Sequence, residues 1–167
     1  MKKIISVLLA SFFIISCLTG CQNNNNNNLP NPISDSSYDE IKSDYGINLL
    51  IPDDASDAYY SIISRDSKTL LICQVGFKYD KGKYNYRGSK VVDDDEQLSG
   101  VYYDFPREDD FIVSGIKAEI EYGVKNAGIL AKWDIRNIHY SLYAENLDES
   151  SLKNFKVLLS TLIESNA

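Results

Sequence analysis

Hydrophobic and polar residues alternate most regularly in three segments, residues 118–124, 129–135 and 138–144. In the middle segment, for example, the apolar Trp133 follows the charged Lys132. A period of two is typical of strands that bury one face and hydrate the other, as in an antiparallel meander. These segments therefore predict three consecutive strands. Less regular β-rich runs predict further strands at residues 47–51, 58–64, 69–79 and 84–90.

The last segment of the chain changes to helical spacing, and Asp148 precedes it as a suitable N-cap. A short helix is also predicted from Ser37, as N-cap, to the helix-ending Gly46. An amphipathic helix that follows a one-sided sheet packs most simply on that sheet. The predicted fold class is therefore α+β: an antiparallel β-sheet meander packed by a C-terminal amphipathic helix, with a short N-terminal helix. The apolar positions of the last helix are Leu152, Phe155, Leu158, Leu159, Leu162 and Ile163.

The N-terminus has the pattern of a secretory signal. Lys2 and Lys3 precede an apolar run at residues 4–17, which as a helix is only about 21 Å long and too short to span a membrane. The sequence Leu-Thr-Gly-Cys that ends at Cys21 resembles a bacterial lipobox. We therefore expect the thiol of Cys21 to take a diacylglyceryl group, and cleavage between Gly20 and Cys21 to make this cysteine the new N-terminus, with acyl chains such as palmitate as the anchor. The alternative is an ordinary signal peptide with an accidental cysteine.

Composition after Cys21 indicates a tether ahead of one folded domain. Six consecutive asparagines follow Gln22, and a polar homopolymer cannot bury enough apolar area to offset its chain entropy. The predicted organisation is a signal peptide at residues 1–20, a lipidated cysteine with an Asn-rich tether at 21–36, and a single α+β domain at 37–167.

Charge and composition exclude several classes of function. The chain of 167 residues has a net charge of -7, and removal of Lys2 and Lys3 with the signal leaves -9. Nucleic acid is not an expected partner, because phosphate binding needs a basic surface. The same acidity opposes adsorption to an anionic membrane, so the lipid must hold the protein there. Three cysteines and one histidine predict neither a disulfide framework nor a metal site, and no cofactor is expected.

Three reactive-looking features have simpler explanations. Cys73 lies on the apolar face of a strand, where a thiol behaves as a small core residue. His139 has no second histidine at a metal-binding spacing, which favours a solvated or structural role. The acidic run at residues 93–96 lacks the alternate spacing of a calcium loop and is interpreted as a solvated loop.

Tyrosine is abundant, with 12 in the chain, and most lie in the β-rich body. Tyrosine suits strands, so sheet packing is one interpretation, but it also suits binding faces because it offers a large area with few rotatable bonds. The candidate binding surface comprises Tyr59, Tyr84, Tyr86, Arg87, Tyr102 and Tyr103.

Short motifs spread over the body are similar to those of one domain family. They are Asn31-Pro32-Ile33, the run from Gly46 to Pro52, Tyr86-Arg87, the run from Leu98 to Tyr102, Ala131-Lys132-Trp133, and the run from His139 to Leu142. The body thereby resembles an uncharacterised domain of secreted lipoproteins and anti-sigma-factor-like ectodomains in Gram-positive bacteria. The aspartate that usually precedes the Ile-Ser-Gly turn of that family is displaced here into the acidic run. The resemblance implies an antiparallel sheet with a helix, and it implies no established reaction and no catalytic residue.

The predicted function is a membrane-anchored lipoprotein on the extracytoplasmic face of the cell membrane, acting as a non-catalytic binding module at the cell envelope. Its expected partners are the membrane, through lipid at Cys21, and an envelope protein or glycan. Two alternatives stay open at this point. One is a carrier of a lipid or other apolar ligand in a sheet–helix cavity, and the other is a carboxylate-dependent hydrolase.

Overall fold

A computed structural model describes residues 33–65, 70–91, 98–125 and 127–167. Within these residues, eight strands form one antiparallel sheet, accompanied by a short helical segment near the N-terminal strand and by a C-terminal helix. The α+β class and the antiparallel sheet are therefore confirmed. The strands are β1 (Ile33–Ser36), β2 (Ser56–Arg65), β3 (Leu70–Tyr79), β4 (Gly82–Ser89), β5 (Arg107–Val113), β6 (Ile116–Tyr122), β7 (Ile129–Ile135) and β8 (Ile138–Glu145).

The sheet consists of two four-stranded meanders that join in its middle. Its strand order is β1-β2-β3-β4-β8-β7-β6-β5, so each meander runs from an outer edge to the centre. The join is made by β4 and β8, where Arg87 lies opposite Ser141. The predicted meander is therefore correct within each half, while the central pairing joins strands that are far apart in sequence.

The predicted short helix is present, with both of its predicted ends. Ser37 is the N-cap, since its side chain accepts a hydrogen bond of 3.2 Å from the backbone N–H of Glu40. One α-helical turn (Tyr38–Glu40) continues into a wider π-helical turn (Ile41–Tyr45). Gly46 then ends the segment with a left-handed φ of 63°, a conformation that glycine adopts without a steric cost.

The C-terminal helix spans Leu152–Glu164 and follows a 3-10 turn at Glu149–Ser151. Asp148 caps this turn, because its side chain accepts a 3.0 Å hydrogen bond from the backbone N–H of Ser150. The predicted cap is therefore confirmed as the start of the whole helical segment. One stripe of the helix is buried against the sheet, as predicted: Phe155, Leu158, Leu159, Leu162 and Ile163.

An aromatic stack occupies the centre of this helix-covered core. Tyr86, Trp133 and Tyr140 contact one another in a triangle, with all three ring-centroid distances between 5.6 and 5.8 Å, and all three rings are buried. Asn166, just beyond the helix, donates a 3.1 Å hydrogen bond to the Tyr86 hydroxyl and accepts a 3.2 Å bond from Tyr140. This side chain therefore connects the end of the helix to the middle of the sheet.

Two regions differ from the sequence-based prediction. Residues 46–52 are not a strand, although Ile47 and Leu49 are buried, because this segment inserts alternate side chains into the core without joining a ladder. The predicted tether extends too far, since its last four residues form β1 on the outer side of β2. The acidic strand β5 was not predicted because its three consecutive acids hide any alternation.

Candidate functional site

The sheet face opposite the C-terminal helix carries a row of polar residues that crosses every strand. Each member lies directly opposite the next in the ladder. Ser61, Gln74 and Ser141 in this row are buried, although they are polar. We call this surface the polar face. The row consists of Asp35, Ser61, Gln74, Arg87, Ser141, Lys132, Glu119 and Asp110.

Arg87 is the centre of a hydrogen-bond network on the polar face. Its Nε donates to Gln74 Oε1 at 2.8 Å, and Gln74 Nε2 donates in turn to Ser61 Oγ at 3.2 Å. Its Nη1 donates to the backbone carbonyl oxygen of Leu98 at 3.1 Å. Burial lowers the pKa of Arg87, while the nearby Tyr59 and Tyr102 act in the opposite direction. The guanidinium therefore holds neighbouring strands and a loop together.

Residues 98–101, which are helical at Leu98 and Ser99 and turn at Gly100, are the covering segment of the polar face. Leu98, Ser99 and Val101 are buried. Gly100 has a φ of +66° and lies so close to Arg87 that a Cβ there would overlap the guanidinium nitrogen Nη1. A glycine is required here on two grounds, the left-handed backbone and the close approach to Arg87.

Three clefts open on the polar face, each named here by one lining residue. The Tyr59 cleft has a volume of about 340 Å³ and lies over β2, β3 and β4. The Tyr103 cleft, of about 320 Å³, lies between the segment after residue 98 and β5, β6 and β7. The His139 cleft, of about 440 Å³, lies beside the β5–β6 turn. Lys132 lines both of the latter two and forms an ion pair with Glu121, so a charged pair stands between them.

The side chains of the Tyr103 and His139 clefts are mostly paired. In the Tyr103 cleft, the ring of Tyr103 makes an edge contact with Phe105 at 6.2 Å between centroids. In the His139 cleft, His139 Nδ1 and Asp134 Oδ1 are 2.8 Å apart. Burial raises the pKa of Glu119, and the neighbouring Glu108 and Glu121 act in the same direction against the opposing effect of Lys132.

The predicted binding surface is divided between the two faces of the sheet. Tyr59, Tyr102 and Tyr103 are exposed, and Tyr59 and Arg87 lie on the polar face. Tyr84 and Tyr86 are buried on the helix side, so Tyr86 is not part of an exposed binding surface, whereas Tyr84 also lines the Tyr59 cleft. The physical reason is the strand period, because adjacent residues such as Tyr86 and Arg87 must point to opposite faces.

The other candidates have simple environments or fall outside the described residues. Cys73 is buried, and burial raises the pKa of its thiol to about 12, which is typical of an unreactive core cysteine. The lipidation residue Cys21, the cleavage site at Gly20 and Cys21, and the acidic run 93–96 lie outside the described ranges.

Sequence reasoning missed several residues that build the polar face. Gln74 and Ser141 appeared only as alternate positions in apolar strands, and Asn85 and Gly76 carried no motif. Strict alternation along β3 would have placed Gln74 on the face of the sheet opposite to Cys73 and Val75. It would not have placed Ser141 beside Arg87, because that contact depends on the pairing of β4 with β8.

Comparisons with known proteins assign no family to this fold or site. Neither a family model, nor a curated protein, nor a solved structure matches the chain. The resemblance to an uncharacterised lipoprotein domain therefore stays a prediction. Among the described residues, no group of three or more acidic, histidine or cysteine side chains could hold a metal ion, and no helix there is long and apolar enough to cross a membrane.

Proposed function

We propose that this protein is a lipid-anchored, extracytoplasmic binding module without catalytic activity, and that its ligand surface is the polar face of the sheet. One observation carries the choice of surface. The polar face combines clefts and exposed tyrosines with a fixed Arg87 network, whereas the opposite face is closed by the C-terminal helix. A rigid scaffold that presents aromatic and polar groups in clefts is typical of recognition sites.

The proposed location depends on the first 32 residues of the chain. A basic start, a short apolar run and Cys21 after Gly20 support export and lipidation. The Asn-rich segment that follows would separate the folded domain from the membrane. The net negative charge supports lipid as the attachment, since the protein surface itself would be repelled by anionic headgroups.

The carrier alternative is less well supported than the binding module. A carrier needs an enclosed apolar space, and the space between helix and sheet is filled by buried side chains that include Phe155, Leu158 and Trp133. The apolar groove of about 440 Å³ beside Phe111 and Val157 lies at the open outer side of the helix. It does not lead into the core stack described above.

The hydrolase alternative is also less well supported than the binding module. Asp104, Glu108 and Glu121 line the Tyr103 cleft, and Glu108 and Glu121 lie opposite each other on adjacent strands, so these two stand on one wall of it. Glu121 forms an ion pair with Lys132. A carboxylate-dependent hydrolase needs two acids on either side of a scissile bond.

A test of the anchor uses Cys21→Ala in the full chain. We expect loss of labelling by a clickable palmitate analogue and loss of the protein from the membrane fraction. Ser34→Ala, a variant outside the lipobox, serves as the matched control and should keep both. Unchanged labelling of Cys21→Ala would refute the lipobox, and resistance of the wild type to protease added to cell-wall-stripped cells would refute an extracytoplasmic location.

A further inference from the structure

The Tyr59 ring lies directly over Gly76, a position of the sheet that has no side chain. Tyr59, Gly76 and Asn85 are consecutive ladder partners on β2, β3 and β4. A Cβ at Gly76 would overlap the Tyr59 ring, so the ring covers the glycine backbone directly. The Tyr59 hydroxyl then reaches Asn85 Oδ1 at 3.4 Å. The Tyr59 side chain therefore spans three strands. It starts on β2, its ring covers Gly76 on β3, and its hydroxyl contacts Asn85 on β4.

The outer face of this ring is accessible. Tyr59 is 56% exposed even though one face of its ring rests on Gly76. A fixed aromatic ring loses little conformational entropy when a ligand stacks on it, because its two side-chain torsions are already set. Gly76 is the residue that makes this arrangement possible, as a strand glycine often marks a close approach of another group.

A β-bulge precedes Tyr59 and sets its direction. The register between β2 and β3 shifts between Ser56 and Tyr59, and Asp57 within the shift has a φ of 53°. Asp57 Oδ2 lies 2.6 Å from Lys78 Nζ, which holds the irregular segment against β3. Bulges frequently re-aim a side chain next to a functional site.

The cleft around the ring is polar at its rim. It has a volume of about 340 Å³, and Asn85, Lys83 and Glu145 contribute to its walls beside the Asp57–Lys78 pair. Lys83 and Glu145 are ladder partners on β4 and β8. Phe77 and Tyr84, whose rings stack on each other, also line the cleft. The cleft therefore offers aromatic surface beside an amide, two carboxylates and two ammonium groups.

We propose that the Tyr59 cleft binds a sugar ring of an envelope glycan, with the ring stacked on the outer face of Tyr59. This inference rests on the proposed function and names the ligand class of its surface. A pyranose presents C–H groups on one face and hydroxyls around its edge. The C–H face matches the tyrosine ring, and the hydroxyls match the amide and carboxylate groups of Asn85, Asp57 and Glu145 as donors and acceptors. A wholly apolar ligand would make no hydrogen bond to the amide and carboxylate groups of this rim.

Tyr59 also has a purely structural explanation that the experiment must separate. An aromatic ring over a strand glycine stabilises a sheet without any ligand. In that case, loss of the ring lowers the melting temperature and leaves ligand binding unchanged. Binding and stability are therefore measured on the same variants.

In the experiment, the detergent-solubilised mature lipoprotein is titrated with tetrasaccharides of N-acetylglucosamine and of glucose. Isothermal titration calorimetry measures the affinity for each. We expect at least one tetrasaccharide to bind, and Tyr59→Leu to weaken that binding by about tenfold. Tyr59→Phe keeps the ring and should retain affinity within about threefold. Gly76→Ala keeps the tyrosine but displaces its ring, and should weaken binding as Tyr59→Leu does. Val157→Ala, on the exposed side of the C-terminal helix, is the control and should keep full affinity, while Tyr103→Leu tests whether the Tyr103 cleft binds the sugar instead.

Each contrary result has a defined meaning. Absence of binding by both tetrasaccharides overturns the proposal, as does unchanged affinity in a folded Tyr59→Leu protein. Loss of affinity in Tyr103→Leu with full affinity in Tyr59→Leu would overturn this site while leaving a binding module in place. Binding of a lysine tetrapeptide, with no sugar bound, would identify a peptide surface instead. Failure of the lipid anchor is detected separately by labelling at Cys21.

Discussion

The helix-covered face and the polar face of the same sheet are both buried at the centre, yet they are held by opposite chemistry. On the helix side, the rings of Tyr86, Trp133 and Tyr140 contact one another in the same core cluster as Phe155 and Leu158. On the polar face, the centre is Arg87 with its hydrogen bonds to Gln74 and Leu98. The first face gains stability from removal of apolar area from water, whereas the second requires that each buried polar group keeps its partner.

This difference assigns separate roles to the two faces. Apolar packing is non-directional, and a core held by it tolerates apolar substitutions that conserve volume. It therefore suits a closed core. A hydrogen-bond network fixes positions and leaves polar groups near solvent, which suits a surface that recognises a ligand. The comparison predicts that charge introduced on the helix side unfolds the domain, while changes on the polar face have smaller and more local effects.

The largest effect is expected for Leu158→Asp. Leu158 is 1% exposed, and an unpaired carboxylate at this position would cost several kcal/mol. Thermal melting followed by circular dichroism should show no cooperative transition, or one at a much lower temperature. Val157→Asp is the matched control, because the neighbouring Val157 is exposed and should shift the transition little. An unchanged melting temperature for Leu158→Asp would mean that the helix does not close the core.

A smaller effect is expected for Arg87→Met on the polar face. Methionine fills part of the same volume but leaves Gln74 Oε1 and the Leu98 carbonyl without their donor, at a cost of about 1–3 kcal/mol. Urea unfolding measures this loss, and hydrogen exchange at the Val101 amide, which donates to Ser99 Oγ, reports local opening of the covering segment.

Lys78→Met provides the reference for Arg87→Met. Lys78 forms an exposed ion pair with Asp57, so its loss should cost no more than about 1 kcal/mol and leave exchange at Val101 unchanged. A gain in stability for Arg87→Met would show that burial of this charge costs more than its hydrogen bonds contribute, as happens in some buried ionic networks. The polar face would then be maintained for recognition at the expense of stability.

The helix-covered face was largely predictable from the sequence, because its signals are local. The predicted limits of β7 match its observed span, and the buried stripe of the last helix follows from spacing alone. The missed elements lacked local signals. β5 has consecutive acids in place of alternation, and β1 is a short edge strand within a segment that composition marks as a tether.

The polar face was only partly predictable, because it depends on pairing between distant strands. Tyr59 and Arg87 were identified, but Tyr86 was placed beside Arg87 although neighbouring strand residues face opposite ways. The contact between Arg87 and Ser141 follows from the β4–β8 pairing, which no local pattern encodes. The covering role of Gly100 likewise requires knowledge of what lies beneath it.

The smallest expected effect is a loss of stability at alkaline pH that arises from the helix-covered face. At neutral pH this effect is absent. Burial raises the pKa of Tyr140 from 10.0 to about 12, and burial also raises the pKa of Tyr86 well above its usual value. A raised folded pKa means that the unfolded chain releases its phenol protons first. Stability is therefore fully present below about pH 10 and is lost as pH rises toward 12 and beyond, since each unit of pKa difference corresponds to about 1.4 kcal/mol.

Urea unfolding at pH values between 8 and 11 measures this loss, and Tyr140→Phe should reduce its slope because one of the coupled phenols is absent. Tyr102→Phe is the control, since Tyr102 is 69% exposed and its loss should leave the slope unchanged. An equal slope in both variants would locate the alkaline sensitivity outside the aromatic stack, and the contrast between the two faces would then not extend to ionisation. A reduced slope of stability against pH in Tyr140→Phe alone would show that the alkaline sensitivity arises from the buried aromatic rings of the helix-covered face.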